Sequence, residues 1–144
     1  MNSLLLSLVL LFSVVFGQIN YETIKSKYNN RCMDMKMSDG KTVYLNADCH
    51  GGNNQKWFYN SASSQILNGY NGKCLDASLS AVQNNDPKPI VLTYSCHDGT
   101  NQKWYIDGDK IKSKYNNKCL DYVVGDNKLI LFDCHNGNNQ KWDF

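Results

Sequence analysis

The amino-acid sequence predicts an all-β domain made of three copies of one unit. Three observations lead to this prediction: a cysteine-to-tryptophan motif occurs three times, short apolar runs alternate with turn residues, and no stretch keeps a helical period over three turns. Because so short a unit cannot bury its own apolar face, we expect the three copies to close on a shared centre.

The repeated motif is Cys-His-x-Gly-x-Asn-Gln-Lys-Trp, and its copies end at Trp57, Trp104 and Trp142. A second marker, Cys-x-Asp, lies upstream in every copy. Together the two markers contain every cysteine, histidine and tryptophan of the chain. We therefore place the repeats at about 23–59, 65–106 and 110–144, and we assign the extra length of the middle repeat to a connection at 78–89.

Short strands are predicted between the markers, where apolar or alternating runs are bounded by Asn, Asp and Gly. They are expected at residues 24–28, 43–45, 91–94 and 129–132. Asn-Gly and Asp-Gly pairs are typical of tight turns with positive φ, and such pairs end at Gly40, Gly69, Gly72, Gly99 and Gly137.

Residues 1–17 have the character of a secretory signal peptide. They carry no charged side chain, and most of them form an apolar run that is too short to span a bilayer. We predict cleavage after Gly17, which leaves a domain at 18–144 and places the protein outside the cell. Because the leader lacks a basic residue, a buried N-terminal helix or an uncleaved anchor is the alternative. No second apolar run follows, so no membrane insertion is expected.

Composition narrows the partners and the redox compartment. Six cysteines in a small exported domain indicate three disulfides rather than thiols or metal ligands, although the sequence alone leaves fifteen pairings open. A formal net charge of +2 supplies no basic surplus for nucleic acid, so nucleic acid is not expected as a partner.

With these motifs in place, the chain resembles a ricin B chain type lectin domain. The resemblance rests on three Gln-x-Trp boxes, each preceded by a Cys-x-Asp and a second cysteine, and it covers nearly all of residues 18–144. It implies a β-trefoil with three pseudo-equivalent repeats, one shallow sugar pocket per repeat, and no cofactor. It also implies three disulfides within the repeats, namely Cys32 to Cys49, Cys74 to Cys96 and Cys119 to Cys134.

The resemblance also assigns sugar-binding roles. An ionised carboxylate accepts hydrogen bonds from sugar hydroxyls, an amide both donates and accepts, and a flat ring covers the apolar face of the sugar. In the second repeat these groups are Asp76, Tyr94, His97 and Asn101. In the third repeat they are Asp121, Phe132, His135 and Asn139.

The first repeat departs from this pattern. It keeps Asp34, His50 and Asn54, but Ala47 stands two residues before the second cysteine, where the ring is expected. We therefore predict a weak or silent first pocket, unless Tyr44 supplies a ring. Some members of the family carry Gln four residues before the second cysteine, where this chain has Leu45, Leu92 and Ile130. The resemblance therefore leaves galactose and other pyranoses open.

The remaining repeated residues are expected to be structural, because a large apolar residue at a fixed offset is what a shared centre needs. They are Trp57, Trp104, Trp142 and the glutamines Gln55, Gln102 and Gln140. For the aspartates and asparagines, turn formation is the alternative role. A metal array of the three histidines is not favoured, since each follows a cysteine expected to be bridged.

The sequence thus predicts a secreted, non-enzymatic protein that binds glycans or glycoproteins. The carboxylates outside the motif, such as Glu22, Asp107 and Asp109, are scattered and do not form a glycosidase pair. Any catalytic partner would be a separate chain that the sequence does not identify. The alternative from another class is a β-trefoil that serves as a protein ligand or inhibitor, with vestigial sugar sites.

Overall fold

The computed structural model describes residues 19–80 and 88–144. The predicted signal peptide at 1–17 and most of the predicted connection at 78–89 lie outside those residues. Within the described part of the chain, no helix is long and apolar enough to cross a membrane.

Twelve short β-strands make up the described fold, four in each repeat, which confirms the all-β prediction. The first repeat contains β1 (Lys25–Ser26), β2 (Cys32–Met35), β3 (Val43–Asn46) and β4 (Trp57–Asn60). The second contains β5 (Gln65–Asn68), β6 (Cys74–Ala77), β7 (Val91–Tyr94) and β8 (Trp104–Asp107). The third contains β9 (Lys110–Ser113), β10 (Cys119–Val123), β11 (Lys128–Phe132) and β12 (Trp142–Asp143).

The strands form three four-stranded antiparallel sheets, and each sheet borrows a strand from another repeat. The sheets have the strand orders β4-β5-β6-β7, β8-β9-β10-β11 and β12-β1-β2-β3. The last strand pairs with the first, with Trp142 opposite Ser26, so the described fold closes on itself. This arrangement is the β-trefoil that the resemblance implied, and it explains why one repeat could not fold alone.

The core lies on the pseudo-threefold axis and is built from equivalent positions of the three repeats. Met33, Leu75 and Leu120 from the Cys-x-Asp strands are buried there, together with Ile24, Ile66, Ile111 and the three tryptophans. Each tryptophan also links repeat segments through its backbone. The N–H of Trp104, for example, donates to the carbonyl of Ser64 at 2.7 Å. Trp57 and Trp142 bond in the same way to Glu22 and Asp109, so each tryptophan is tied to the residue just before its own repeat.

The disulfides join Cys32 to Cys49, Cys74 to Cys96 and Cys119 to Cys134, and this confirms the pairing that the resemblance implied. Each bridge ties the start of a hairpin to the loop that follows it. In the loop-entropy account of disulfides, each bridge stabilises the fold by about 3 kcal/mol. This contribution is substantial for a domain of this size, because small cores leave little surplus stability.

Two sequence expectations about local structure were wrong in part. The strand expected at 24–28 ends at Ser26, because the Ser26 hydroxyl accepts the Tyr28 N–H and the chain turns at Asn30 with φ of 58°. Gly40 and Gly72 have the expected positive φ, but Gly69 does not, and Gly99 and Gly137 have φ of −68° and −66°. Positive φ therefore does not explain why glycine stands at these two positions of the repeated motif.

Trp104→Phe tests the structural role of the tryptophans. The indole of Trp104 is fully buried and its Nε1–H donates to the Leu75 carbonyl at 3.0 Å. Replacement with Phe leaves a cavity and an unpaired carbonyl, so we expect a loss of about 2–3 kcal/mol in the free energy of unfolding. Urea unfolding of the oxidised protein measures it. Tyr70→Phe, at a residue 55% exposed, is the control, and equal stabilities of the two variants would contradict this role.

Candidate functional site

An aspartate occupies the third position of the strand that opens each hairpin. Asp34, Asp76 and Asp121 lie on β2, β6 and β10, and their exposed fractions are 1%, 5% and 5%. A carboxylate so far from water must be hydrogen-bonded, because an unpaired buried charge is very costly. The hydrogen-bond partners of these three carboxylates therefore define the sites.

The glutamine of each Gln-x-Trp box holds its aspartate in place. In the second repeat, Gln102 Nε2 donates to Asp76 Oδ2 at 2.8 Å and to the Ser95 carbonyl at 3.0 Å. Its Oε1 accepts the His97 backbone N–H at 2.8 Å. Gln140 makes the same three hydrogen bonds in the third repeat, and Gln55 makes two of them in the first. One fully buried amide thus fixes a carboxylate and a loop together.

The tryptophan of the box holds the same strand from its other side. Its indole Nε1–H donates to the carbonyl of the residue just before the aspartate, at distances of 2.9 to 3.2 Å, and those carbonyls belong to Met33, Leu75 and Leu120. The three indoles are at most 2% exposed, and none of them lines the pockets of the second and third aspartates. Glutamine and tryptophan act as one brace for each aspartate strand.

The asparagine and histidine of the motif complete the surroundings of the carboxylate. Asn101 Nδ2 donates to Asp76 Oδ2 at 3.2 Å, and His97 Nε2 lies 3.5 Å from the same oxygen. His97 Nδ1 accepts the Gly99 N–H at 2.9 Å, so in the neutral ring the proton is on Nε2 and faces the aspartate. In the third repeat His135 Nε2 lies 3.3 Å from Asp121 Oδ2 and its Nδ1 accepts the Gly137 N–H, but Asn139 Nδ2 donates to the other carboxylate oxygen, Oδ1, at 3.1 Å.

Close packing explains the glycine between histidine and asparagine. A Cβ added to Gly99 would lie 2.7 Å from atoms of His97 and of Asn101, and Gly137 is equally confined in the third repeat. No side chain fits at this distance without displacing a group of the site. Glycine therefore recurs at this position of the motif because the histidine and asparagine side chains approach it closely, not because the turn needs a positive φ.

The structure gathers the predicted residues of the second and third repeats into two pockets. Asp76, Tyr94, His97 and Asn101 line a cavity of about 250 Å³. Asp121, Phe132, His135 and Asn139 line a cavity of about 280 Å³. In each pocket the ring meets the histidine edge to face, with centroids 6.4 Å apart in the second repeat and 6.2 Å apart in the third. The eight residues therefore form two pockets, each with one aspartate, one aromatic ring, one histidine and one asparagine.

The first repeat differs by one residue in register. Cys74 pairs with Tyr94 and Cys119 pairs with Phe132, whereas Cys32 pairs with Asn46. The residue in the position of the ring is thus Asn46, and Ala47 is an additional residue before the second cysteine. Counting back from that cysteine pointed to Ala47 because the count could not reveal the insertion.

Asn46 completes the hydrogen bonding of Asp34. Asn46 Nδ2 donates to Asp34 Oδ2 at 3.0 Å, and Asn54 and Gln55 donate to the same carboxylate at 2.9 Å and 2.8 Å. Tyr44 pairs directly opposite Asp34, and its hydroxyl lies 3.4 Å from Asn46 Nδ2. Burial, followed by the charge of Asp34, raises the pKa of Tyr44. The side chains around Asp34 thus bond to one another.

The structure also reveals features that sequence reasoning missed. Lys41, from the hairpin of the first repeat, lines the second pocket, and Lys88 lines the third. An apolar cavity of about 360 Å³, separate from the two pockets, lies between Ile66, Ile111 and Phe144. Among residues 19–80 and 88–144, no group of three His, Cys, Asp or Glu side chains is placed to hold a metal ion.

The fold and the three Gln-x-Trp boxes define a β-trefoil domain of the lectin class. Residues 18–104 and 80–144 match the ricin-type β-trefoil lectin domain family, and the chain belongs to this family of carbohydrate-binding domains. No curated protein matches the sequence.

Solved structures share the fold. The hemolytic lectin CEL-III is 29% identical over 86% of this chain, with a TM-score of 0.71, and this chain spans 29% of its length. The β-trefoil lectin of the Vibrio vulnificus hemolysin/cytolysin, solved with N-acetyl-D-lactosamine, is 23% identical with a TM-score of 0.67, over 88% of this chain and 94% of that one. The C-half of the earthworm R-type lectin, solved with GalNAc, is 19% identical with a TM-score of 0.65, over 85% and 95%.

Gln102→Leu tests the brace. The variant leaves the Asp76 carboxylate, the Ser95 carbonyl and the His97 N–H without their shared partner, so we expect a loss of about 3 kcal/mol in the free energy of unfolding. Gln65→Leu is the matched control, because Gln65 makes one exposed hydrogen bond, to the His97 carbonyl at 2.9 Å. The control should lose less than about 1 kcal/mol. Urea unfolding compares them, and a Gln102 variant as stable as the control would refute the brace.

Proposed function

We propose that the protein is a secreted lectin that binds pyranose units of glycans or glycoproteins through the pockets of the second and third repeats. In this proposal the chain catalyses no reaction. The observation that carries the proposal is the same in both pockets. A braced carboxylate, an amide and an aromatic ring line one shallow cavity, and the ring is exposed in the second repeat and half-buried in the third.

The carboxylate supplies the polar half of the recognition. The hydrogen bonds that Gln102 and Asn101 donate to Asp76 both end on Oδ2. Among the described residues, no donor contacts Asp76 Oδ1, which leaves this oxygen to accept sugar hydroxyls. In the third pocket each oxygen of Asp121 accepts one amide hydrogen bond, so a sugar hydroxyl would use a remaining lone pair. Charge-assisted hydrogen bonds of this kind are stronger than neutral ones and depend on fixed geometry. The brace provides that geometry before any ligand arrives.

The ring supplies the apolar half. Tyr94 is 54% exposed although it lies on a strand, and its edge-to-face contact with His97 orients it. The C–H face of a pyranose can stack on such a ring and bury apolar surface. Phe132 has the same position relative to His135 in the third repeat. A sugar that contacts carboxylate and ring at once is therefore held on two faces.

The first repeat is proposed to be silent. The Asp34 carboxylate already accepts three amide hydrogen bonds and is 1% exposed, and an asparagine stands where the other repeats have a ring. A sugar hydroxyl would have to displace Asn46 and would then find no ring at the position of Tyr94 and Phe132, while the nearby Tyr44 hydroxyl is already engaged by Asn46. Both hydrogen bonding to the carboxylate and stacking on a ring are therefore weakened in the first repeat.

The identity of the sugar is proposed only as a class. Structures that share this fold were solved with N-acetyl-D-lactosamine, GalNAc and α-methyl-D-galactoside as ligands of those proteins. These ligands all contain galactose-type pyranoses and support a pyranose here. Leu92 and Ile130, opposite the two aspartates in the hairpins, are apolar and donate no further hydrogen bond. Galactose-type and other pyranose glycans therefore both remain within the proposal.

Two sites on one rigid body favour a multivalent ligand. Each pocket is shallow, so each binds weakly, but simultaneous engagement of both can raise the apparent affinity on a crowded glycan surface without any new contact. Agglutination or adhesion at a cell or wall surface is the activity that we propose on this basis. Secretion is part of the same proposal, and it fits the three disulfides and the apolar leader sequence.

A ring-truncation experiment tests the lectin proposal. Tyr94→Ala combined with Phe132→Ala removes both stacking surfaces, so binding to a broad glycan array should fall at least about tenfold. The matched control is Tyr70→Ala combined with Tyr115→Ala, which removes two exposed rings from the hairpin turns outside the pockets.

The outcomes of this array separate the hypotheses. Binding by the wild type and the control, but not by the pocket variant, supports the lectin. Equal binding by all three proteins would show that the pockets are misplaced. If no folded protein binds any glycan, the lectin proposal fails and a protein ligand or inhibitor becomes the better explanation.

A further inference from the structure

A lysine from a different repeat borders the second pocket. Lys41 belongs to the loop between β2 and β3 of the first repeat, yet it lines the same cavity as Asp76 and Tyr94 of the second. The isolated bridge between Thr42 and Leu92 brings the two repeats together at this point. The pocket is therefore completed by a cationic side chain from outside its own repeat.

The backbone of Lys41 is held firmly in this position. Its N–H donates to Asp39 Oδ1 at 2.9 Å, and its carbonyl accepts the Thr93 N–H at 2.9 Å. Asp39 also accepts the hydroxyl of Thr42 at 2.7 Å and its N–H at 2.9 Å. These hydrogen bonds, those from Thr42 first, lower the pKa of Asp39 to about 2, so the loop keeps its ionised anchor in mild acid. A fixed backbone beside the pocket limits where the ammonium group can go.

The third pocket has a cation in a comparable place. Lys88 lies just before Pro89, whose carbonyl accepts the Leu131 N–H at 2.9 Å, and it lines the pocket of Asp121 and Phe132. Lys88 Nζ is 4.7 Å from the centroid of the Phe132 ring, within the range of a cation–π contact. The cation and the stacking ring of this pocket are thus adjacent.

Beside the first repeat, the residue in the comparable place is Asn127. The neighbour of the first repeat is the hairpin of the third repeat, where Asn127 Oδ1 accepts the Leu45 N–H at 3.1 Å. The charged residues of that hairpin, Asp126 and Lys128, form an ion pair with each other at 2.6 Å. A pocket-lining lysine therefore accompanies the two pockets that have a ring, and a neutral amide accompanies the repeat that does not.

From this pairing we infer that the second and third pockets prefer glycans in which the bound pyranose, or the unit next to it, carries an anionic group. The inference rests on the proposed lectin function and names its substrate class. A sulfate ester and a carboxylate share the required chemistry, because either can accept a charge-assisted hydrogen bond from a lysine ammonium. The braced aspartate then binds hydroxyls, the ring covers the C–H face, and the lysine binds the anion.

The test compares matched neutral and acidic probes. The immobilised glycans are N-acetyllactosamine, its 6-O-sulfated form and its sialylated form, and galactan beside an oligogalacturonide covers the uronic acids. Affinities of the oxidised full-length domain are measured at about 150 mM salt, where long-range charge effects are largely screened. The readout is the ratio of acidic to neutral affinity. We expect a ratio of about five to ten for at least one acidic class, the size expected of one or two surface ion pairs.

Lysine variants locate the preference. Lys41→Met combined with Lys88→Met keeps side-chain length but removes both charges, and it should reduce the ratio to below about two. Lys36→Met is the control, because Lys36 is an exposed lysine at the start of the same β2–β3 connection and does not line the pocket. The control should keep the wild-type ratio.

Each outcome decides the inference. A sulfate-only or carboxylate-only preference that the double variant loses supports it and identifies the anion. Equal affinity of the wild type for neutral and acidic probes overturns it while the lectin function stands. An acidic preference that survives in the double variant also overturns it, since the charge would then lie elsewhere. Failure to bind any probe would overturn the inference and the lectin proposal together.

Discussion

The hydrogen bond between a buried glutamine amide and a nearly buried aspartate is the interaction on which the rest of this structure depends. In each repeat the amide fixes the carboxylate, and in the second and third it also fixes the histidine backbone. The neighbouring tryptophan anchors the same strand and fills the shared core. Stability and site geometry therefore depend on the same residues. A change that loosens the Gln-x-Trp box should disturb both.

Closure of three similar repeats separates what must stay constant from what can vary. Core positions and braces recur with nearly the same distances because each repeat packs against the other two. The rims of the pockets carry no such constraint. Tyr94, Phe132 and Asn46 occupy one structural position in three chemical forms. The differences between the sites thus lie in residues that the fold does not require, which is where specificity can change at little cost to stability.

Much of this could be predicted from the sequence, because repetition marks the residues that recur for structural reasons. The three disulfides followed from the resemblance, and the members of both ring-bearing pockets could be named before any coordinates. The role of Asn46 could not, since a one-residue insertion before the cysteine shifts the register without leaving a motif. Lys41 and Lys88 were missed because they reach their pockets from another repeat or a long connection. Gly99 was misread as a turn glycine, although the histidine ring packed against it is the actual constraint.

We therefore expect sugar to bind at the second and third sites. At the first site, the Asp34 carboxylate is already hydrogen-bonded to amide side chains of its own repeat. The most direct measurement is a crystal structure of the protein with the glycan that binds most strongly on the array. We expect sugar hydroxyls within about 3 Å of the Asp76 and Asp121 carboxylates, with pyranose rings over Tyr94 and Phe132, and the Asp34 carboxylate still bonded to its own amides. A sugar bound at Asp34, or in the apolar cavity beside Phe144 with both ring-bearing pockets unchanged, would contradict these expectations.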